Sequence, residues 1–320
     1  MRTLAKSRQS GERLGKKQTF FGEMKKNWVY YLMILPAALI MFLFAYLPMP
    51  GIIIAFLDFN FVDRFKSPWA GLNNFKFYFT SSYFTRTTLN TLIINLNYLV
   101  WTTVLSVAVA IILNEIKQKV AKKVYQNAIF LPYFLSSVVV GKLVNMVVFS
   151  DNMGIANQIV TMLGQDPVTW SAKPLAWLFI IIGAHVWQTV GYNSIVYLAS
   201  ISGFDKELYE AASLDGASRW QRIRRITIPM LIPSIIIMSL LSIGGMLRGD
   251  FANIYAIIQD RGVLYKYTDV IDTYVFRAIK GAAEFGTTAA VGLYQSVVGF
   301  LLVIFSNWLA KKYDKDSALF

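Results

Sequence analysis

Long apolar runs alternate with short polar segments along most of this chain. Six runs reach roughly the 20 residues that a helix needs to cross about 30 Å of hydrocarbon. Proline at positions 36, 132 and 229 is tolerated in or beside such spans where neighbouring helices satisfy the freed carbonyls. The pattern predicts an all-α, polytopic membrane protein with six transmembrane helices. The runs are approximately Trp28–Leu47, Leu89–Leu113, Tyr125–Phe149, Leu175–Ser200, Met230–Leu247 and Thr287–Leu309.

Composition supports a membrane protein and excludes several kinds of site. The 320 residues are 56% hydrophobic and only 15% charged, which is far more apolar than a soluble domain. With no cysteine, neither a disulfide nor a thiol site is possible. The single histidine, His185, lies in an apolar run and is expected to be a satisfied intramembrane group. A Gly11-to-Lys17 stretch resembles a phosphate loop only faintly, so no cofactor is expected and any ATP hydrolysis belongs to a separate subunit.

The distribution of positive charge predicts the orientation. Although the net charge is +13, the basic residues follow the membrane pattern and nucleic acid is not an expected partner. With the N-terminal tail inside, 20 Lys and Arg face the cytoplasm and 10 face the other side. The excess marks the cytoplasmic side of a lipid bilayer. Both termini and residues 205–229 are therefore predicted to be cytoplasmic, in a multi-pass protein of the cell membrane.

The polar segment 205–229 predicts two short helices joined by a bend. Asp205 is a suitable N-cap, and acidic residues follow it where a helix N-terminus tolerates negative charge. Gly216 permits a backbone conformation that a β-carbon would resist. Four arginines then precede the next apolar run. These features favour a helix–turn–helix elbow on the cytoplasmic face, although an ordinary loop is the simpler alternative.

The order of residues in this elbow resembles the EAA loop of binding-protein-dependent ABC importer permeases. The family usually has leucine where this chain has Ile228, a mild departure. The resemblance implies a type I importer permease fold of the maltose type and contact of the elbow with an ATPase. The residues implied in that coupling are Glu210, Ala211, Ala212, Asp215, Gly216, Ile226 and Pro229.

The family resemblance also implies the organisation and partners of the chain. It divides into a cytoplasmic basic tail (1–27), a first transmembrane helix with an extracellular loop (28–88), the permease core (89–311) and a cytoplasmic tail (312–320). The implied partners are a second homologous permease, in a heterodimer rather than a homodimer, two cytoplasmic ABC ATPase subunits and an extracellular solute-binding protein. Three further motifs look most like the LplB-like branch, which is associated with complex-oligosaccharide uptake. They occupy residues 186–194, 269–277 and 290–296.

Polar and aromatic residues within the spans are candidates for a substrate pathway, because polar groups at bilayer depth are costly. For each one, hydrogen bonding between helices is the alternative role. If Lys142 faces the pathway with Arg248 near its outer mouth, an acidic sugar such as a uronate oligosaccharide is favoured. The candidates are Lys142, Asn145, Trp187, Gln188, Tyr192, Asn193 and Arg248.

Two other functions remain open at this stage. A permease for another small solute, such as an amino acid, phosphate or a polyamine, would share the same mechanics. A membrane enzyme or channel working alone is disfavoured because the spans carry almost no carboxylates or histidines. In the outer segment 248–286, Val270, Ile271 and Tyr274 share a helical face with two further apolar residues. This predicts a short helix that lies along the membrane, offers a face to an external partner, or does both.

Overall fold

The computed structural model describes residues 26–151 and 153–313, and the regular structure within them is helical apart from one isolated bridge between Leu57 and Trp69. The tails expected at 1–27 and 312–320 lie almost wholly outside these residues. The all-α prediction is confirmed. The α-helices in chain order are α1 (Trp28–Met41), α2 (Asn73–Thr80), α3 (Ser82–Glu115), α4 (Lys119–Phe130), α5 (Ser137–Lys142), α6 (Ile155–Met162), α7 (Pro174–Ser202), α8 (Lys206–Leu214), α9 (Arg219–Arg222), α10 (Ile228–Ile243), α11 (Phe251–Ile258), α12 (Tyr265–Thr268), α13 (Ile271–Ala282) and α14 (Phe285–Tyr313).

The chain divides after Ile53 into two units. The first unit carries α1, which continues through a π-helical turn at Phe42–Tyr46, and a 3₁₀ helix then follows at Met49–Phe56. Together they make a 29-residue apolar span from Trp28 to Phe56. The prolines at positions 48 and 50 remove backbone donors, which accounts for the change of helix type.

The second unit contains the remaining long helices. Helix α3 has 34 residues and is therefore about 51 Å long, more than the thickness of the hydrocarbon layer. It packs along α7, which has 29 residues. Two further apolar spans follow, Arg219–Ile243 and Phe285–Lys312. Four of the predicted spans in this unit thus correspond to continuous helical segments.

The third predicted span is not a straight helix. Its two halves, Lys119–Phe134 and Ser137–Val148, meet at an angle of 92°. Pro132 cannot supply a backbone donor, and Ser136 restarts the helix by accepting a hydrogen bond from the Val139 amide at 3.4 Å. The expected single run Tyr125–Phe149 is therefore either one broken span or a pair of helices that form a re-entrant loop.

Two apolar clusters form the core around α3 and α7. One cluster joins Ile94 of α3 and Trp177 of α7 to Ile254 of α11. The other joins the opposite end of α3, at Leu113, to Leu198 of α7. Between the clusters, the facing sides of both helices carry polar residues. This polar stretch lies near the middle of α7, at the depth where a membrane-spanning chain can least tolerate unpaired polar groups.

The outer helix predicted around residue 271 is present as α13. Its apolar face does not form a free surface, because Ile271 is fully buried and Tyr274 is only 6% exposed. Both pack with Tyr78 of α2 and Val291 of α14. The expectation that this face meets an external partner is therefore wrong, since the chain covers it itself.

Candidate functional site: a coupling elbow and a polar cavity

The polar segment 205–229 forms the predicted helix–turn–helix elbow. The Asp205 carboxylate caps α8 by accepting a hydrogen bond from the Glu207 amide at 2.9 Å. Gly216 follows the helix with φ of +78°, a left-handed conformation that costs glycine little. The Ala217 amide then donates to the Ala212 carbonyl at 2.9 Å and closes the helix end.

The second arm of the elbow begins with a complete capping box. Ser218 accepts a hydrogen bond from the Gln221 amide at 3.3 Å, and the Gln221 side chain accepts one from the Ser218 amide at 2.7 Å. The hydroxyls of Tyr209 and Thr227 lie 3.1 Å apart, and Arg222 donates to Ser213. These contacts tie α8 to the start of the next span.

One side of the elbow is uncovered. Glu210 and Ala211 are exposed, and Leu214 is 89% exposed. Among the described residues, the Glu210 carboxylate has no ion-pair partner. An apolar side chain presented this openly beside a carboxylate is suited to a protein partner.

The other residues implied in coupling lie along the same elbow. Ala212 is half-buried and Asp215 is exposed at the bend. Ile226 is half-buried, and Pro229 lies in the first turn of α10, directly after the π-helical turn Ile223–Thr227. The role of the seven EAA residues in coupling remains a prediction.

A polar cavity of about 280 Å³ lies between the two apolar clusters. It is smaller than most ligand pockets, which occupy about 300–1,000 Å³. Its walls come from the facing sides of α3 and α7, from α10, and from the segment that joins α10 to α11. The polar residues lining it include Asn95, Tyr98, Thr102, Thr103, His185, Thr189, Asn193, Ser242, Arg248 and Asp250.

Three side chains form a linked group in the cavity wall. His185 Nδ1 lies 2.9 Å from a carboxylate oxygen of Asp250. The imidazole ring stacks on Tyr98, with ring centroids 3.7 Å apart and an angle of 6° between the planes. His185 is thus partnered, as its isolated position in an apolar run predicts. The identity of its partner could not be read from the sequence, because Asp250 lies 65 positions further along the chain.

The structure brings two of the predicted pathway residues, Asn193 and Arg248, to this cavity. Two others make hydrogen bonds elsewhere. The Asn145 amide nitrogen donates to the Ile257 carbonyl at 2.8 Å, and its oxygen accepts from Arg261 at 2.6 Å. The Gln188 amide donates to the Leu135 carbonyl at 2.8 Å. Both side chains therefore join helices within this chain.

The remaining three candidates also lie away from the cavity. Trp187 lines an apolar groove on another side of α7. Tyr192 stacks on Tyr133, with centroids 4.3 Å apart. Lys142 is exposed at the end of α5. A pathway role for them stays a prediction, and the acidic-sugar hypothesis now depends on Arg248.

Two of the branch motifs make structural contacts around the outer segment. The fully buried Asp269 carboxylate bonds Arg86 at 2.8 Å and Arg277 at 2.6 Å. Gln295 donates to the Leu247 carbonyl at 2.8 Å, next to the cavity segment. These residues fix the backbone behind the cavity.

Comparisons with known proteins agree with this architecture. Protein LplB of Bacillus subtilis is 31% identical over 303 residues, with 94% of each chain covered. The polygalacturonan/rhamnogalacturonan transport system permease protein YteP of the same organism is 33% identical over 288 residues, covering 89% of this chain and 88% of that protein.

A solved structure is also similar. It is a chain of a bacterial ABC transporter involved in the import of the acidic polysaccharide alginate, with a TM-score of 0.84, 32% identity and coverage of 92% of this chain and 99% of that one. The same transporter type is known in complex with an alginate pentasaccharide-bound periplasmic protein. A family model matches residues 105–315, which include the elbow and the cavity segment. The chain therefore belongs to the family of binding-protein-dependent transport system inner membrane components.

Proposed function

We propose that this chain is one of two permease subunits of an ATP-driven importer that takes up oligosaccharides by alternating access. Family membership and the sugar polymers named for its relatives support this substrate class. The relatives reported above give no support to an amino acid, phosphate or polyamine substrate. An external solute-binding protein delivers the sugar, as the solved complex of the alginate transporter suggests by analogy.

The uncovered elbow carries the proposal. Glu210, Ala211 and Leu214 present one face of α8 without a partner in this chain, while the other face is tied to α10. This geometry suits docking into a groove on an ATPase. Two cytoplasmic ATPase subunits and a second homologous permease, in a heterodimer, complete the complex. ATP-driven closure of the ATPases would then rotate the spans through the elbow.

The polar cavity supplies the pathway. Its walls lie near the middle of the spans, where transporters place their substrate sites. Carbonyl, amide and hydroxyl groups from α3 and α7 offer the donors and acceptors that sugar hydroxyls need. The second permease closes the open side of the cavity.

The proposal places the elbow and both termini in the cytoplasm of a bacterial cell, which single-cysteine labelling tests. Because the chain has no native cysteine, each introduced thiol is unique in it. Leu214→Cys lies on the elbow, and Val62→Cys, at a position 91% exposed in the first outer loop, is the control. A membrane-impermeant maleimide should label Leu214→Cys only in inside-out vesicles and Val62→Cys only in intact cells.

Docking adds a second readout to the same experiment. Co-expression of the ATPase subunits should reduce the rate of maleimide labelling of Leu214→Cys at least several-fold. The labelling rate of Val62→Cys should not change. Labelling of Leu214→Cys from outside would reject the orientation. Equal labelling with and without the ATPases would reject the elbow as their docking site.

A further inference from the structure

The segment between α10 and α11 crosses the cavity wall on a fixed backbone. The Asn95 amide donates to the carbonyls of Met246 at 2.9 Å and Arg248 at 3.0 Å. Asp272 accepts a hydrogen bond from the Gly249 amide, and Gln295 binds the intervening carbonyl. Side chains from three helices therefore hold this short non-helical segment. Such support is typical of a preorganised binding site.

Arg248 brings to the cavity a positive charge that no described residue pairs. Its side chain is exposed, and among the described residues its guanidinium has no hydrogen bond and no ion pair within 4 Å. The one carboxylate in the cavity wall, Asp250, is already bonded to His185 at 2.9 Å and to the Asn253 amide at 2.7 Å.

Asp272 is the other acidic group near this cation. It lies behind the Gly249 backbone, and its oxygens accept no hydrogen bond from the guanidinium among the contacts of the described chain. Burial raises the pKa of the Asp272 carboxyl, against the opposing effects of its hydrogen bonds and of the positive charge on Arg248. The guanidinium therefore retains its donors for a ligand.

Two hydroxyl groups in the same wall also lack partners. The oxygens of Tyr98 and Thr102 are buried, and neither has a hydrogen-bond partner in the described structure. Buried polar groups without partners are rare, and each calls for an explanation. A ligand that brings its own hydroxyl or carboxylate oxygens into the cavity would satisfy both.

We propose that the cavity selects acidic oligosaccharides, with the guanidinium of Arg248 binding a uronate carboxylate and the hydroxyls of Tyr98 and Thr102 binding the same sugar residue. This inference rests on the proposed function and adds the charge of the substrate to it. The forked donors of arginine match a planar carboxylate. The paired Asp250 repels this anion less than a free carboxylate would, because His185 and Asn253 occupy its oxygens.

The test compares two sugars that differ only in charge. The reconstituted complex with its binding protein is given an oligogalacturonate or the fully methyl-esterified form of the same length, and ATP-dependent uptake is measured for each. Affinity of the binding protein for both sugars is measured separately, so that delivery and passage are distinguished. The variants are Arg248→Gln, Arg248→Lys and Lys173→Gln, the last being an exposed cation just before α7 and outside the cavity.

Arg248→Gln should reduce uptake of the acidic sugar about tenfold or more and leave the ester unaffected, because charge-assisted hydrogen bonds are the ones lost. Arg248→Lys should retain only part of the uptake of the acidic sugar, because lysine keeps the charge but lacks the forked donors, and Lys173→Gln should behave as wild type. An equal loss of uptake of both sugars in Arg248→Gln would overturn the proposal. So would faster uptake of the ester than of the acidic sugar by the wild type when the binding protein delivers both equally. In either case uptake of any oligosaccharide by the wild type would leave the importer function standing.

Discussion

At the residue scale, polar groups that are costly to bury mostly find partners within the described part of the chain. Asp269 is the clearest example, since its carboxylate is fully buried between Arg86 and Arg277. Thr273 also donates to it at 2.9 Å. Removing one member of a buried charge cluster leaves the others uncompensated. The first acidic residue of the 269–277 motif therefore stabilises the fold of the outer segment.

Asp269→Asn should lower the free energy of unfolding by about 3 kcal/mol, because the two arginines lose their shared counter-ion. The control is Asp260→Asn. That carboxylate is 53% exposed and lies 3.4 Å from Lys280, so its loss should leave the Tm unchanged. Thermal unfolding of the purified protein in detergent measures both. Equal Tm values for the two variants would show that the buried cluster is not stabilising.

The sequence identified these polar positions but not their partners. From their positions in apolar runs, Asn145 and Gln188 are candidates for the substrate pathway or for hydrogen bonds between helices, and His185 is expected to be satisfied. The partners that join them to other elements are carbonyls and side chains more than 50 positions away in sequence, as with Gln188 and Leu135. Such pairs depend on how the helices are rotated against each other, and the apolar pattern does not fix that rotation.

At the element scale, close helix packing determines how α7 meets the broken third span. A β-carbon on Gly191 would overlap the carbonyl of Ile129 at the end of α4. On the same helix, a β-carbon on Gly183 would meet no atom within 4 Å. Small residues at helix contacts allow this approach in membranes. The two glycines differ in their surroundings and share the same helix.

Gly191→Ala should destabilise the protein by about 1–3 kcal/mol, because the two helices must separate. Gly183→Ala should be neutral or slightly stabilising, since alanine is the better helix former. The stabilities of the two variants are compared by unfolding both in the same detergent and monitoring the loss of the helical circular dichroism signal. A Gly191→Ala protein as stable as Gly183→Ala would contradict the close contact.

The elements themselves were largely predictable from sequence. Apolar run length placed the spans, and Asp205 and Gly216 marked the start and end of α8 because capping is a local effect. The 92° break in the third span was not predicted, although Pro132 lies beside it. Proline in a membrane helix is compatible with either a kink or a complete break, and tertiary contacts decide between them.

At the scale of the whole molecule, the fold and the family follow from one ordered motif and six apolar runs. The cavity does not follow from them. It combines positions near 98, 185 and 248 on three separate elements, and only the assembled helices bring these positions together. The elbow joins α7 to α10, and both of these helices line the cavity, so a movement of the elbow can reach the cavity.

The central claim is that the elbow couples ATP hydrolysis to oligosaccharide uptake. Gly216→Pro tests it, because proline cannot adopt the φ of +78° that the bend requires. Gly164→Pro is a matched control: Gly164 has φ of +76°, and both glycine amides donate to a carbonyl three residues earlier. Each change strains its turn by about 1–3 kcal/mol, but only one lies in the elbow.

The measurement is ATP-dependent uptake of a labelled oligosaccharide into proteoliposomes that contain the complete complex and its binding protein. Wild type and Gly164→Pro should accumulate the sugar. The uptake rate of Gly216→Pro should be at least tenfold lower, although this variant still inserts in the membrane. Uptake by Gly216→Pro at the wild-type rate would contradict coupling through the elbow. Uptake of amino acids or phosphate in place of the sugar would contradict the proposed substrate.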